Sequence, residues 1–344
     1  LVIGETTFGG IEALNGAEQE GAKLDYGNLI WLTLQRSKTA REAIHTLDHL
    51  MQNYGYASEG ESFSIADGEE AWVMEIVSKG SHSTSPNKLG SVWVARKIPD
   101  GSVCAHANQA RITTFPKDDP NDTLYSSDVI SFAKSMNLFN GNDDDFSFSD
   151  VYDPLTFTGA RFCEARVWSM FGSLMGKEWM NQYEDYATGY NLTNRMPLFV
   201  KPPIKVSTTS VFEMMRDHYD GTVLDMSGQE FHDIGASNGQ IPYRTHPLTW
   251  SSNNKNYLNE RPIGTQQTGW NYVATTRSWM PQPLKGVLWF GADDSATTPH
   301  LPLYGSTTRA PKEYAGKGVQ DGVISPMLKF NLRSAFYAFN LVAN

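Results

Sequence analysis

Residues 62–77 read SFSIADGEEAWVMEIV. Ser62–Ala66 and Ala71–Val77 are rich in β-formers, and Asp67-Gly68 between them is a turn signal. Two further short apolar runs follow, Val92–Ala95 after a polar loop and Val103–Ala107 after the turn Pro99-Asp100-Gly101. Connections this short hold no crossover helix, so the runs are expected to form an antiparallel meander rather than βαβ units. The last run passes straight into AHANQARITTFP, Ala105–Pro116, where His106, Asn108, Gln109 and Arg111 crowd the end of an apolar strand. Polar groups carried on such a rigid support are well placed to be site residues.

Upstream, Thr39-Ala-Arg-Glu42 has the form of a capping box. Ala40, Ala43, Ile44, Leu47, Leu50, Met51 and Tyr54 then recur at helical spacing, and Gly55 stops the helix. Downstream, Tyr125–Met136 reads as helix, Asn140–Asp145 as an acidic loop, and Gly159–Met175 as a helix or strand-to-helix segment. Ser210-Val-Phe-Glu213 reads as a second capping box, opening a helix that ends near Tyr219. Met226–Gly269, rich in Asn, Ser, Gly and Pro, reads as mostly loop, and Asn271–Thr275 and Val287–Phe290 as strands. No internal repeat or composition break demands a boundary, so residues 1–344 are expected to form a single domain. The chain opens on LVIGETTFGG, a strand already under way. It closes on a stripe of Leu328, Leu332, Phe336, Phe339 and Leu341 with no stop signal. A fragment, trimmed at both ends, is the expectation.

The 344 residues are 40% hydrophobic and 12% aromatic, enough for a sizeable core. Asp plus Glu outnumber Lys plus Arg by 38 to 28, and no basic stripe stands out, which argues against a nucleic-acid partner. No apolar run approaches the length of a membrane-spanning helix. Cys104 and Cys163 are too few for a disulfide framework or a thiolate zinc site.

Several motifs have ordinary explanations. Gly235-Ala-Ser237-Asn-Gly239 matches the nucleophile-elbow pattern, but GQEFHDI before it is no buried strand, so a loop is the better reading. His45 and His49 stand at metal-sharing spacing yet fall opposite the apolar stripe of their helix, on its solvated face. Asn142–Asp145 lacks the alternation of a calcium loop. Trp31, Trp72, Trp93, Trp168, Trp250, Trp270, Trp279 and Trp289 are spread along the chain as core residues would be. Arg161 and Arg166, in GARFCEARVW, stand among apolar residues and need anionic partners. A structural ion pair with Glu164 or a nearby Asp, and an anchor for a carboxylate, weigh equally. Asn108 has the same two sides: it ties a loop, or it donates its amide N–H to an oxyanion.

A set of stretches in one order carries a resemblance. They are IGETT (Ile3–Thr7), KTAREAI (Lys38–Ile44) with Tyr54-Gly55, AWVMEI (Ala71–Ile76), HANQARI (His106–Ile112), EARVW (Glu164–Trp168), MRDHYDGT (Met215–Thr222), and PLKGVLWFGADD (Pro283–Asp294) with Pro302 and Tyr304. Together they resemble the dipeptidase A family, related to secernins, of the N-terminal-nucleophile hydrolases.

The resemblance implies an α+β fold of four αββα layers, two stacked antiparallel sheets covered by helices. It implies a cysteine-type dipeptidase without cofactor or metal, in which an N-terminal Cys attacks the peptide carbonyl and its own α-amine is the base. Asn108 then takes the place of an oxyanion-hole Asn, and Arg111 fixes that corner at the substrate-binding end. Arg166 best fits the family's active-site Arg, while Arg161 better resembles the arginine of penicillin and bile-salt amidases. Glu5 is the candidate partner for a dipeptide's α-ammonium. No Cys stands at the start of the chain, and Cys104 and Cys163 lack a free α-amine, so both read as packing thiols and the nucleophile is expected upstream of Leu1. An amidase of the penicillin/bile-salt type and a secernin-like binding protein remain the alternatives. Dipeptide specificity, compartment and homo-oligomerisation stay open.

Overall fold

A computed structural model describes residues 1–225, 249–258, 260–265, 267–314 and 330–343. The chain divides into two compact units, Leu1–Ile204 and Lys205–Asn344. Both mix helices with antiparallel sheet, giving an α+β chain.

The first unit is built on a five-stranded antiparallel sheet in the order β1-β2-β3-β4-β6. Its strands are β1 Val2–Phe8, β2 Gly60–Ala66, β3 Ala71–Ser78, β4 Ser91–Lys97 and β6 Thr123–Tyr125. The β2–β3–β4 portion is the meander expected from the turn signals. Its last neighbour differs from expectation. Val103–Ala107 forms only the two-residue β5, Val103–Cys104, which pairs with β7, Phe199–Val200, in a separate small sheet. The fifth place in the main sheet goes to β6.

Alternation along the strands makes two cores. On one face Ile3, Phe63, Ile65, Trp72, Met74 and Ile76 pack against α2, Ala40–Tyr54, with Leu29 of α1, Tyr26–Arg36. On the other face Phe8, Val73, Val77, Val92 and Val94 pack against Ala110, Ile112, Phe115 and the aromatic cluster of Phe146, Phe148 and Tyr152. β3 is therefore covered on both sides, which explains its nearly continuous apolar run. The Thr39 hydroxyl accepts from the Glu42 amide, as the capping box requires, while the Glu42 carboxylate reaches the Lys38 amide instead of Thr39. Gly55 ends α2 at φ +72°, backbone that glycine adopts without strain.

α3 covers Val129–Ser135, shorter than the helix expected over 125–136 because Thr123–Tyr125 is taken into the sheet. Beyond α4, Phe148–Tyr152, a π-helical stretch, Gly159–Glu164, leads into α5, Ala165–Met175, and then α6, Lys177–Ala187. The second unit holds α7, Thr208–Met215, the hairpin β8, Thr249–Ser252, with β9, Lys255–Leu258, and α8, Ala335–Ala343. Its three-stranded sheet is β10, Trp270–Thr276, β11, Gly286–Ala292, and β12, Leu301–Tyr304. The cap of α7 is Ser207 with Ser210 rather than Ser210 with Glu213. The hairpin lies in a region expected to be mostly loop, and the Gly235–Gly239 motif lies outside the described residues.

Trp72, Trp93 and Trp168 are core residues, whereas Trp31, Trp250, Trp270 and Trp279 are exposed. His45 and His49 are exposed, and Asp48 between them accepts from the Trp93 indole at 2.7 Å. Among the described residues no helix is long and apolar enough to cross a membrane.

Candidate active site

Ala105–Ile112 runs against the sheet face that carries Thr6, Ser62, Ser64 and Glu75. It is not a strand, so its buried amides have no ladder to join. An unpaired buried amide costs roughly 1–3 kcal/mol, and two carboxylates remove that cost. Glu75, in the middle of β3 and fully buried, accepts from the amides of Arg111 at 2.6 Å and Ile112 at 3.0 Å. Asp153 accepts from the amides of Ala110 at 2.8 Å and Gly10 at 3.0 Å and from the Gln109 carboxamide at 2.7 Å. Burial outweighs these bonds and pushes the two acids up, Glu75 to about 7 and Asp153 to about 6. A glutamate inside the apolar run AWVMEIV was the sequence signal for this anchor, since a buried strand carboxylate must meet donors.

Arg111 is spent inside the protein. Its Nε donates to Glu164 Oε2 at 3.0 Å with both side chains buried, and its Nη atoms donate to the carbonyls of Ala105, Pro197 and Leu198. The Tyr186 hydroxyl donates to the same Glu164 oxygen at 3.0 Å. Arg111 is thus tied to Glu164 and to three main-chain carbonyls around this corner. Glu164, an expected partner for Arg161 or Arg166, is paired with Arg111 instead.

Asn108 sits at φ +64°, which asparagine tolerates and which turns the chain out of the extended run. Its Nδ2 donates to the Thr7 carbonyl at 2.5 Å, and its Oδ1 accepts from Arg166 Nη2 at 2.9 Å. Arg166 also donates to the carbonyls of Ala107 and Phe162. These acceptors are all neutral, and among the described residues no carboxylate pairs with the half-buried Arg166 guanidinium. Arg161 reaches away from this group, donating to the Thr188 carbonyl at the end of α6 at 3.4 Å. The structure thus brings Asn108, Arg111 and Arg166 together around one loop, with Arg166 on Asn108.

His106 spans two strands on the same face. Thr6 Oγ1 lies 2.6 Å from its Nδ1 and Ser64 Oγ lies 2.7 Å from its Nε2. Burial, with the Arg111 charge adding to it, lowers the imidazole to about 4, so it is neutral near pH 7.

Glu5 follows a different geometry from the one expected. It precedes Thr6 on β1, and alternation turns it to the helix-covered face, away from His106 and Asn108. There it lies against the buried Glu61, whose Oε2 accepts from Thr7 Oγ1 at 3.1 Å and from the Tyr56 hydroxyl at 3.2 Å. Among the described residues Glu61 Oε1 has no hydrogen-bond partner, and burial followed by the neighbouring Glu5 raises Glu61 to about 9.

Neither thiol is activated. Burial pushes Cys104 up to about 12 and also raises Cys163, although the Arg166 guanidinium beside Cys163 pulls the other way. Among the described residues no group of three or more His, Cys, Asp or Glu could hold a metal ion.

The model of peptidase family C69 matches residues 2–344. A protein named probable dipeptidase from Latilactobacillus sakei is 24% identical over 283 residues, 82% of this chain and 50% of that protein. Another probable dipeptidase, from Salmonella dublin, is 24% identical over 269 residues, covering 78% and 52%. Dipeptidase A of Lactobacillus helveticus is 22% identical over 317 residues, covering 92% and 56%. The chain spans about half the length of the curated relatives it matches.

Proposed function

The chain belongs to peptidase family C69, and from that premise we propose that the protein it represents is a cysteine-type dipeptidase of the N-terminal-nucleophile kind, with four αββα layers. In this reading the nucleophile is an N-terminal Cys outside the given sequence. Its α-amine takes the thiol proton, the sulfur bonds to the scissile carbonyl carbon, and the C–N bond breaks as that proton passes to the leaving amine. Water then hydrolyses the thioester and restores the thiol.

The observation that carries the reading is the Arg166–Asn108 pair. A half-buried guanidinium whose acceptors among the described residues are neutral is poised for an anion, here a thiolate, an oxyanion or the substrate carboxylate. Asn108, oriented by Arg166 through Oδ1, has a second Nδ2 hydrogen to offer to the oxyanion. Arg161, which donates to the Thr188 carbonyl beside α6, is the second candidate. The dipeptidase names of the relatives support the substrate class. The opposite facing of Glu5 argues that the α-ammonium is met by another group.

The test is hydrolysis of a dipeptide panel by the full-length protein, beside the same dipeptides N-acetylated, with the mature N-terminal residue determined by mass spectrometry. Cleavage confined to free dipeptides and a terminal Cys would support the reading. Cleavage of the acetylated set would favour the penicillin/bile-salt type of amidase, and a terminal residue other than Cys with no cleavage would leave a binding protein.

A further inference from the structure

Three consecutive residues of the site loop are tied down in three different ways. His106 is gripped from both ring nitrogens by Thr6 and Ser64, the Ala107 carbonyl accepts from Arg166, and Asn108 is held between Thr7 and Arg166. Thr6 and Thr7 are neighbours on β1, so the anchor of His106 and the anchor of Asn108 lie on one strand. Thr6 offers its side chain and Thr7 its carbonyl.

We propose that His106 is a positioning residue for Asn108, a neutral imidazole bridging β1 and β2 that sets where the Asn108 carboxamide points. The inference rests on the dipeptidase reading for its kinetic consequence, but not for its geometry. A general base must present a free nitrogen to substrate or water. Both nitrogens of His106 are taken by protein hydroxyls, which excludes that role and leaves alignment. A hydroxyl is a donor and an acceptor, so Thr6 and Ser64 satisfy either neutral tautomer. The bridge needs no carboxylate and creates no buried charge. The need for a bridge is also physical. Asn108 adopts a left-handed backbone that interrupts the extended chain, and Ala105–Ile112 has no strand partner to fix its height above the sheet. Glu75 and Asp153 hold the downstream half at Ala110, Arg111 and Ile112. In the upstream half, where Arg111 also holds the Ala105 carbonyl, His106 is the side chain that ties the loop to both β1 and β2. With it gone, Asn108 hinges about those anchors, and a misplacement near 1 Å is enough to cost about a hundredfold in rate.

The experiment is a double-mutant cycle in the full-length protein: parent, His106→Ala, Asn108→Ala and the double variant, with His106→Gln and Thr6→Val beside them. For a dipeptide substrate, His106→Ala should lower kcat by roughly ten- to a hundredfold with KM nearly constant. His106→Gln, whose amide can donate and accept, should recover part of that loss. The double variant should be no slower than Asn108→Ala alone, because His106 acts through Asn108. A double variant slower than Asn108→Ala by the full His106→Ala factor overturns the proposal. Thermal unfolding of the same four proteins gives the second reading. Non-additive melting shifts support the coupling whether or not a dipeptide is cleaved, and strict additivity overturns it. A parent inactive on every dipeptide removes the dipeptidase reading and leaves the coupling to be decided by the unfolding cycle.

Discussion

Arg166 donates to Asn108 Oδ1 at 2.9 Å while Asn108 donates to the Thr7 carbonyl at 2.5 Å, so one carboxamide links α5 to β1 through the site loop. Its orientation is fixed at both ends, as an oxyanion donor requires. Replacing Asn108 by Ala in the full-length protein should lower kcat for dipeptides by about 10²–10³. Asn108→Asp is the sharper variant: its carboxylate pairs with Arg166 and tolerates the left-handed backbone, but it has no N–H to donate. It should be as slow as Asn108→Ala and melt below the parent, because a carboxylate oxygen then faces the Thr7 carbonyl where the amide N–H had donated. Normal turnover in either variant would remove Asn108 from the chemistry.

The two arginines of GARFCEARVW separate by partner. Arg166 contacts Asn108, and Arg161 contacts the Thr188 carbonyl. Arg166→Lys keeps the charge but loses the planar fork, so it should reduce kcat/KM by about tenfold or more. Arg161→Lys should cost less than Arg166→Lys, since it is Arg166 that donates to Asn108. Steady-state kinetics on one dipeptide decide the order, and equal losses would return both arginines to the site.

Glu164 and Arg111 form a buried pair with further acceptors on the guanidinium. Removing one partner leaves the other charge buried and uncompensated, at a cost of about 3–5 kcal/mol. Glu164→Gln and Arg111→Met should each lower the melting temperature strongly, and the double variant should lose less than their sum. Chemical denaturation would show this, and additive losses would mean that the pair is not coupled.

How far the sequence carried these assignments differs between the strands and the site. Asp67-Gly68 and the alternating runs at 62–66 and 71–77 made β2 and β3 legible because both local turn chemistry and burial favour them. Val103–Ala107 had the same composition but pairs only at Val103–Cys104, because Asn108 breaks the extended backbone just beyond it, and distant carboxylates take the amides of Ala110, Arg111 and Ile112 that a longer strand would have put in a ladder. Asn108 and Arg166 are candidates through family motifs, whereas their contact joins residues 58 positions apart and needs the fold. The facing of Glu5 was not legible for a simpler reason. Membership of β1 was readable, but which face it takes depends on Thr6 meeting His106, a contact across 100 positions.

Glu61 supplies a prediction about pH. Its carboxyl titrates at about 9 in the fold against an ordinary 4.5. A raised acid holds its proton more tightly folded than unfolded, so its contribution to stability is complete below about 4.5 and is lost as pH rises toward about 9. His106, lowered from 6.5 to about 4, works in the opposite direction, contributing fully above 6.5 and less as pH falls. The two effects overlap between pH 4.5 and 6.5, so the parent's melting curve alone cannot assign either. Glu61→Gln isolates the first. The amide mimics the protonated acid, keeps the Thr7 and Tyr56 donors satisfied through its carbonyl, and can donate to Glu5. At pH 5 variant and parent should melt within about 3 °C of each other. From pH 6 to 9 the parent should fall away from the variant, since only the parent must bury a newly formed carboxylate charge. Parallel melting curves across that range would mean that Glu61 is already ionised in the fold, and its raised titration would have to be abandoned.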